Sequence, residues 1–164
     1  MKKIIAFILC ALTLLSLCSC KDILEADVEK RGSGEFSIEI PEVFKSVDVE
    51  GYAAYFARDN VYVWAIKDAF INLDGSSEWD VRDYANRIYE VNDLKFPTPV
   101  TVTDGLYNIE YTVFNEQKNM SFTYLTVMYK GSDAFWMVQF ACEDTKFAEY
   151  KPHFFEWAKT VNVT

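Results

Sequence analysis

Four consecutive residues near the amino terminus carry the most specific chemistry in this sequence. Leu17-Cys18-Ser19-Cys20 places an aliphatic residue at −3, a small residue at −1 and a cysteine at +1, which is the lipobox read by lipoprotein signal peptidase. A cysteine thiolate is nucleophilic enough to accept a diacylglyceryl group. We therefore predict lipid attachment at Cys20, because cleavage before the competing Cys18 would put the bulky Leu17 at −1.

The residues around this motif have the layout of an exported, lipid-anchored chain. Lys2 and Lys3 form a basic start, and an almost unbroken apolar run follows over residues 4–17. We predict a signal peptide over 1–19. Residues 20–34 are predicted to be the lipidated cysteine and a flexible tether, since they are rich in charge and end in glycine and serine. Acyl chains would hold the protein at the cell membrane or the outer membrane, with its domain outside the cytoplasm.

An uncleaved transmembrane helix is the alternative interpretation of the apolar run. A helix needs about 20 apolar residues to cross a bilayer. The run over residues 4–17 is shorter than that, and acidic residues follow it instead of a basic stop-transfer cluster. The pattern favours the cleaved and lipidated chain.

The rest of the sequence offers few residues for catalysis or metal binding. His153 is the one histidine, and Cys142 is the one cysteine beyond the lipobox. One histidine and one cysteine cannot form a structural zinc site. The sequence also lacks the phosphate-binding, dinucleotide-binding, nucleophile-elbow and zinc-protease motifs. We predict no cofactor, no metal and no enzymatic activity. Catalysis by a pair of carboxylates stays an alternative, because such a pair is defined by its distance in three dimensions and not by its spacing in the sequence.

The charge of the chain excludes one class of partner. It has 16 Lys+Arg and 25 Asp+Glu, a net charge of −9, and loss of the signal peptide with its two lysines would leave −11. Nucleic-acid binders need basic residues to replace phosphate counterions. We expect no nucleic acid. The expected partners are a membrane, through the lipid anchor, and an envelope protein or small ligand.

Residues 35–164 are predicted to form one α+β domain. A helix start at Ser77 and Asp80 precedes apolar residues at helical spacing, and a second helical stripe covers 145–160. Short links between the later strands require antiparallel neighbours. We expect an antiparallel β-sheet with helices packed on it. Strands are predicted at 36–40, 52–57, 61–70, 106–115, 120–130 and 134–142.

The hairpin links predict which side chains share a face of the sheet. Pairing Asn115 with Met120, and Lys130 with Ala134, gathers the large apolar groups on one core face. The opposite face is then mixed in polarity, so it is either partly covered or used for binding. The candidate partner-binding face contains Glu110, Tyr129, Phe135 and Gln139, and the loop over residues 73–79 is the alternative contact region.

The aromatic residues have two interpretations. The chain holds 13 Phe, 10 Tyr and 4 Trp. Such rings can form a stacking platform for a sugar or a peptide, but more often they fill a core, because each buries a large apolar area. We assign Trp64, Trp136 and Trp157 to the core and leave Trp79 open.

The order of elements resembles the PsbP-like fold family, named for an extrinsic photosystem II subunit and shared with a small Ran-binding nuclear protein. The resemblance covers about residues 36–163 and implies an α/β/α sandwich, a binding or assembly-accessory role, and a place among bacterial lipoproteins of unknown function. It carries over no metal-binding or partner-binding residue. It rests on Phe36-Ser37-Ile38-Glu39-Ile40-Pro41, Tyr84-Ala85, Asp104-Gly105, Phe122-Thr123-Tyr124-Leu125, the segment from Phe135-Trp136 to Phe140, and the closing helix over 154–161.

Three functions are compatible with these observations. The first is a surface-tethered, non-enzymatic binding or accessory module. The second is an envelope hydrolase that uses paired carboxylates, and the third is a purely structural subunit held by a large apolar interface. The lipobox and the missing catalytic motifs favour the first.

Overall fold

The computed structural model describes residues 22–73, 76–91 and 100–164, so Cys20 and the predicted signal peptide lie outside it. The described residues form antiparallel sheets with helices packed on them, which confirms the predicted α+β class. The strands are β1 (Val28–Ser33), β2 (Phe36–Pro41), β3 (Lys45–Ser46), β4 (Ala54–Arg58), β5 (Val61–Ala69), β6 (Thr101–Thr103), β7 (Leu106–Asn115), β8 (Met120–Lys130), β9 (Ala134–Glu143) and β10 (Asn162–Val163). The helices are α1 (Val81–Val91) and α2 (Asp144–Lys159).

The strands form a large sheet and a small one. The large sheet has seven strands in the order β3-β4-β5-β9-β8-β7-β6, and the small sheet has the order β1-β2-β10. All the strand pairings among the described residues are antiparallel, including that of β5 with β9, which are far apart in the sequence. The C-terminal hairpins therefore close onto the β4–β5 hairpin and make one continuous surface.

Side chains of the large sheet alternate between two faces, as in any pleated strand. The first, which we call the α2 face, packs against α2 and β2 in the main core. The second, the α1 face, packs against α1 through a smaller core. Buried members of the α2 face include Val63, Leu125, Val127, Trp136, Val138 and Phe140. Buried members of the smaller core are Tyr84, Ala85, Ile109, Met128 and Phe135.

The structure confirms one of the two predicted hairpin registers and corrects the other. The β7–β8 register is confirmed, since Asn115 pairs with Met120. The β8–β9 register is wrong by one residue, because Lys130 pairs with Phe135 and not with Ala134. Four residues, 131–134, lie between the paired Lys130 and Phe135, and the Gly131 N–H donates to the Ala134 carbonyl at 2.8 Å. A one-residue shift moves every side chain of a strand to the other face.

The segment predicted as a flexible tether, 20–34, is folded wherever the structure describes it. β1 pairs with β2 along its whole length. Ile23 is 5% exposed and Ala26 is 9% exposed. The tether prediction was therefore wrong, and the folded domain already includes Asp22 instead of starting at residue 35. β1 is an edge strand with charged, exposed side chains, which protects an edge but removes the apolar alternation that identifies a strand.

One helix starts later than the sequence predicts, and the other lies where it was predicted. α1 begins at Val81, and its cap is formed by Asp80 and Asp83, each accepting a hydrogen bond from the other's backbone N–H at 3.0 and 2.9 Å. This reciprocal capping box replaces the predicted start at Ser77. α2 runs from Asp144 to Lys159, through Pro152, and agrees with the predicted 145–160 to within one residue.

Candidate functional site

The four residues of the predicted partner-binding face do not share a face. Glu110 and Tyr129 lie on the α2 face, because they pair with Leu125 and Trp136. Phe135 and Gln139 lie on the α1 face, since β9 is shifted by one residue relative to the prediction. The predicted surface is therefore not a single surface.

Three of these four side chains contact a helix. The Glu110 carboxylate pairs with Lys151 of α2 at 2.7 Å. The Tyr129 hydroxyl donates to the Ala158 carbonyl at 2.8 Å, and burial raises the pKa of this phenol. Phe135 is fully buried and stacks on Tyr84 of α1, with ring centroids 4.5 Å apart. These contacts attach the two helices to the sheet.

The α1 face carries an aromatic surface at the end that lies away from α1. Rings at alternate positions of four strands and the β3–β4 loop point to the same side. All but Phe122 keep part of their surface exposed, and Tyr52 is 38% exposed. We call this group the aromatic surface; it contains Tyr52, Tyr55, Tyr62, Trp64, Tyr111, Phe122 and Tyr124.

The rings of the aromatic surface are ordered by stacking. Tyr55 lies flat against Trp64, with centroids 5.7 Å apart and an interplanar angle of 11°. Tyr111 and Tyr124 stack at 4.8 Å and 5°. Trp64 meets Tyr124 edge-on at 5.9 Å, which joins the two stacks. Offset stacks and edge contacts are the arrangements that aromatic pairs prefer, so these rings form a rigid platform.

Gln139 fixes the platform from beneath. Its side-chain NH₂ donates to the Tyr111 hydroxyl at 2.7 Å and to the Thr126 hydroxyl at 2.8 Å. Its carbonyl oxygen accepts the Trp64 indole N–H at 2.8 Å. Gln139 is 9% exposed, so it holds the rings and offers little surface itself. This residue of the predicted face thus belongs to the site, as a support.

A groove of about 230 Å³ opens on the aromatic surface beside Lys118. The Lys118 ammonium lies 5.1 Å from the Tyr62 ring centroid and 5.3 Å from that of Phe122. A cation over a ring face is attracted by the ring quadrupole. The groove therefore combines flat apolar walls with one positive charge. Its lining residues are Tyr55, Tyr62, Trp64, Asn115, Lys118, Phe122 and Tyr124.

The tryptophan assignments were partly right. Trp136 and Trp157 are buried in the main core, at 1% and 5% exposure. Trp64 is half-buried on the aromatic surface and not in the core. Trp79 packs at the margin of the smaller core. The alternation of aromatic residues at 62 and 64 and at 122 and 124 was visible in the sequence, but it does not tell whether a helix covers them.

A second cavity of about 270 Å³ lies where α2 starts, beside Cys142. Burial, with help from the neighbouring carboxylates, raises the pKa of the Cys142 thiol to about 12. The thiol stays protonated at neutral pH, and a protonated thiol is a poor nucleophile. Asp22, Asp59 and Glu143 also line this cavity.

These carboxylates are not arranged as a metal site. Glu143 accepts a hydrogen bond from the Asn60 amide at 2.6 Å, and Asp59 lies 3.2 Å from the Arg58 guanidinium. Over residues 22–73, 76–91 and 100–164, no group of three or more histidine, cysteine or acidic side chains is placed to hold a metal ion. In the same part of the chain, no helix is both long and apolar enough to cross a bilayer.

The two antiparallel sheets, with α1 and α2 packed on the larger one, define a PsbP-like fold. Solved structures share it. The cyanobacterial PsbP protein CyanoP of Synechocystis is similar over 90% of this chain and 99% of its own, with a TM-score of 0.59 and 15% identity. The Ran-binding protein Mog1p of Saccharomyces cerevisiae is similar over 84% and 96%, with a TM-score of 0.52 and 8% identity.

A third similar structure comes from Bacteroides thetaiotaomicron. The similarity covers 85% of this chain and 48% of the Bacteroides chain, with a TM-score of 0.52 and 14% identity. No family model and no curated protein sequence matches the chain. Identities this low establish the fold alone, so the function is argued from the residues of the site.

Proposed function

We propose that this protein is a membrane-anchored bacterial lipoprotein whose folded domain is a non-enzymatic binding or assembly-accessory module of the cell envelope. The observation that carries the binding role is the aromatic surface. Seven rings on one side of the sheet form a rigid, partly exposed platform, and Lys118 adds a charge at its edge. Tyrosine and tryptophan are the residues that contribute most often to binding energy at interfaces.

The anchor is supported by the lipobox that ends at Cys20 and by the basic and apolar residues before it. A lipid at this position would place the domain at the cell membrane or the outer membrane, outside the cytoplasm. The binding role is also supported by the fold, since one of its members, Mog1p, is a Ran-binding protein.

The hydrolase alternative has one observation in its favour, which is that Asp22, Asp59 and Glu143 line one cavity. A carboxyl group that acts as a general acid needs surroundings that disfavour its charge. Asp59 lies instead beside a guanidinium and is 76% exposed, and Glu143 accepts a hydrogen bond from Asn60. We therefore place this function second, and the purely structural subunit third.

The anchor predicts a specific biochemical result. In the native host, the wild-type chain incorporates radiolabelled palmitate and fractionates with membranes. The Cys20→Ala chain incorporates no label, because the acyl chains need the thiol. The Cys18→Ala chain is the matched control and keeps the label. Equal labelling of all three chains, or of none, contradicts the proposed anchor.

The binding role predicts weaker capture of a partner when a ring of the aromatic surface is removed by mutation. We expect the full chain, purified in detergent, to capture an envelope component reproducibly. Tyr55→Ala removes half of the Tyr55–Trp64 stack and lowers recovery about tenfold, as expected for an interface anchor. Phe114→Ala is the control, since Phe114 is 56% exposed on the other face of the sheet. Equal recovery with Tyr55→Ala, in a chain with unchanged thermal unfolding, contradicts the assignment of this surface.

A further inference from the structure

Lys118 is held over the aromatic surface by a short, ordered turn. The Lys118 backbone N–H donates to the Asn115 side-chain carbonyl at 2.9 Å. Asn119, the next residue, has a positive φ of 51°, which closes the β7–β8 turn. The turn therefore delivers the ammonium to the ring faces of Tyr62 and Phe122.

The ammonium retains capacity for a further acceptor. It donates to the Asn60 side-chain carbonyl at 2.8 Å and to the Tyr62 hydroxyl. An ammonium group has three N–H donors, so one remains after these two bonds. Among the described residues no carboxylate is within ion-pair distance of Lys118, and Glu143 is linked to it through the Asn60 amide.

The size of the groove limits what can enter it. Pockets for drug-sized ligands measure about 300–1,000 Å³. The groove of about 230 Å³ lies below that range, so it suits one ring. The Tyr55 and Trp64 rings both line the groove and offer apolar surface to a ring, and the ammonium offers a charged hydrogen bond to an anion.

We propose that the groove binds a six-membered ring that carries a carboxylate, either a sugar acid or an aromatic acid. The ligand ring packs against the Tyr55 and Trp64 rings that line the groove, and the carboxylate accepts a hydrogen bond from Lys118. This inference rests on the proposed binding function and names the ligand class for the same site. The chain as a whole is acidic and repels anions, so Lys118 supplies the local attraction.

Two matched ligand pairs test the charge and the ring separately. The sugar pair is methyl β-D-glucuronide and methyl β-D-glucoside, and the aromatic pair is benzoate and benzamide. Binding to the full chain in detergent is followed by the ¹H–¹⁵N signal of the Trp64 indole, which is assigned by its loss in Trp64→Phe. This N–H is bonded to Gln139 beneath the platform, so it reports on the groove.

At low ionic strength we expect the acid of one pair to bind about three- to fivefold more tightly than its neutral partner, as for an exposed ion pair. The difference shrinks in high salt. Lys118→Met keeps the aliphatic stem and abolishes the difference in affinity between the acid and its neutral partner. Lys146→Met is the matched control, because Lys146 lies on α2 at the second cavity, and this variant keeps the preference. A preference in the first pair identifies a sugar acid, and one in the second pair identifies an aromatic acid.

Three results overturn the inference. They are equal affinity within both pairs, a preference that survives in Lys118→Met, and no response of the Trp64 signal to any of the four compounds. The first two leave the aromatic surface as a binding site without anion selection. After the third, the proposed function still stands if Tyr55→Ala abolishes partner capture, and it falls with the inference if capture is also unchanged.

Discussion

Replacing Phe154 with alanine lowers the free energy of unfolding by about 3–5 kcal/mol. Phe154 has no exposed surface and lies on the side of α2 that faces the sheet. Its ring stacks on Phe140 of β9 at a centroid distance of 5.5 Å and contacts Trp157 at 5.5 Å. The alanine variant leaves a cavity at the centre of the main core, because the ring is packed from both the helix and the strand.

Urea denaturation of residues 22–164 measures this loss from the shift of the midpoint at constant slope. Phe114→Ala is the matched control, and since its ring is 56% exposed we expect a change within about 0.5 kcal/mol. The packing described for α2 is contradicted if the two variants lose equal stability, or if Phe154→Ala loses less than about 1 kcal/mol.

A chain that begins at residue 35 is less stable than one that begins at Asp22 by about 3 kcal/mol or more. The shorter chain lacks buried Ile23, worth about 1.5–3 kcal/mol. It also lacks β1, whose hydrogen bonds to β2 contribute about 0.5–1.5 kcal/mol each. The measurement is urea denaturation of both chains under the same conditions. Equal midpoints would show that residues 22–34 add nothing to the fold.

Two glycines in the β1–β2 turn provide an independent check of the same hairpin. Gly32 and Gly34 both have positive φ, at 93° and 65°. A Cβ on Gly32 would lie 2.5 Å from the Phe36 carbonyl oxygen, whereas a Cβ on Gly34 meets nothing within 4 Å. Both alanine variants carry the backbone strain of a positive φ. We expect Gly32→Ala to lose more stability than Gly34→Ala, because it alone adds the clash.

The two C-terminal hairpins show why one strand register could be predicted from the sequence and the other could not. The β7–β8 register was predictable because Asn115 to Met120 leaves little choice of turn and β7 alternates polar and apolar residues over 108–113. The β8–β9 register could not be predicted, since β9 is apolar on both faces and almost wholly buried. A strand with no polar face gives no signal when its pairing shifts by one residue.

The first strand was missed for a different physical reason. The sequence of β1, Val28 to Ser33, is charged and exposed, so it has neither apolar alternation nor a buried face. Its strand conformation depends on backbone pairing with β2, which a local pattern does not record. Ile23 and Ala26, which belong to the fold, were too few to distinguish a folded segment from a tether.

The aromatic surface depends on an arrangement that sequence patterns do not contain. Its rings were visible as alternating residues in β5 and β8, but α1 could have covered them as it covers Phe135. The position of α1 is fixed by tertiary contacts, among them the hydrogen bond from the Tyr84 hydroxyl to Asp68. The role of Gln139 likewise emerged from three hydrogen bonds to residues distant in sequence.

The early start of the fold has a mechanical consequence for an anchored protein. Three residues span at most about 11 Å, and Ile23, three residues after Cys20, is already fixed in the interior. A lipid on Cys20 would hold the globule against the headgroups with almost no slack. Under the proposed anchor, so short a link would restrict the tumbling of the domain and favour one side facing the bilayer. Its search for ligands would then take place in two dimensions, within a thin layer of fluid along the membrane.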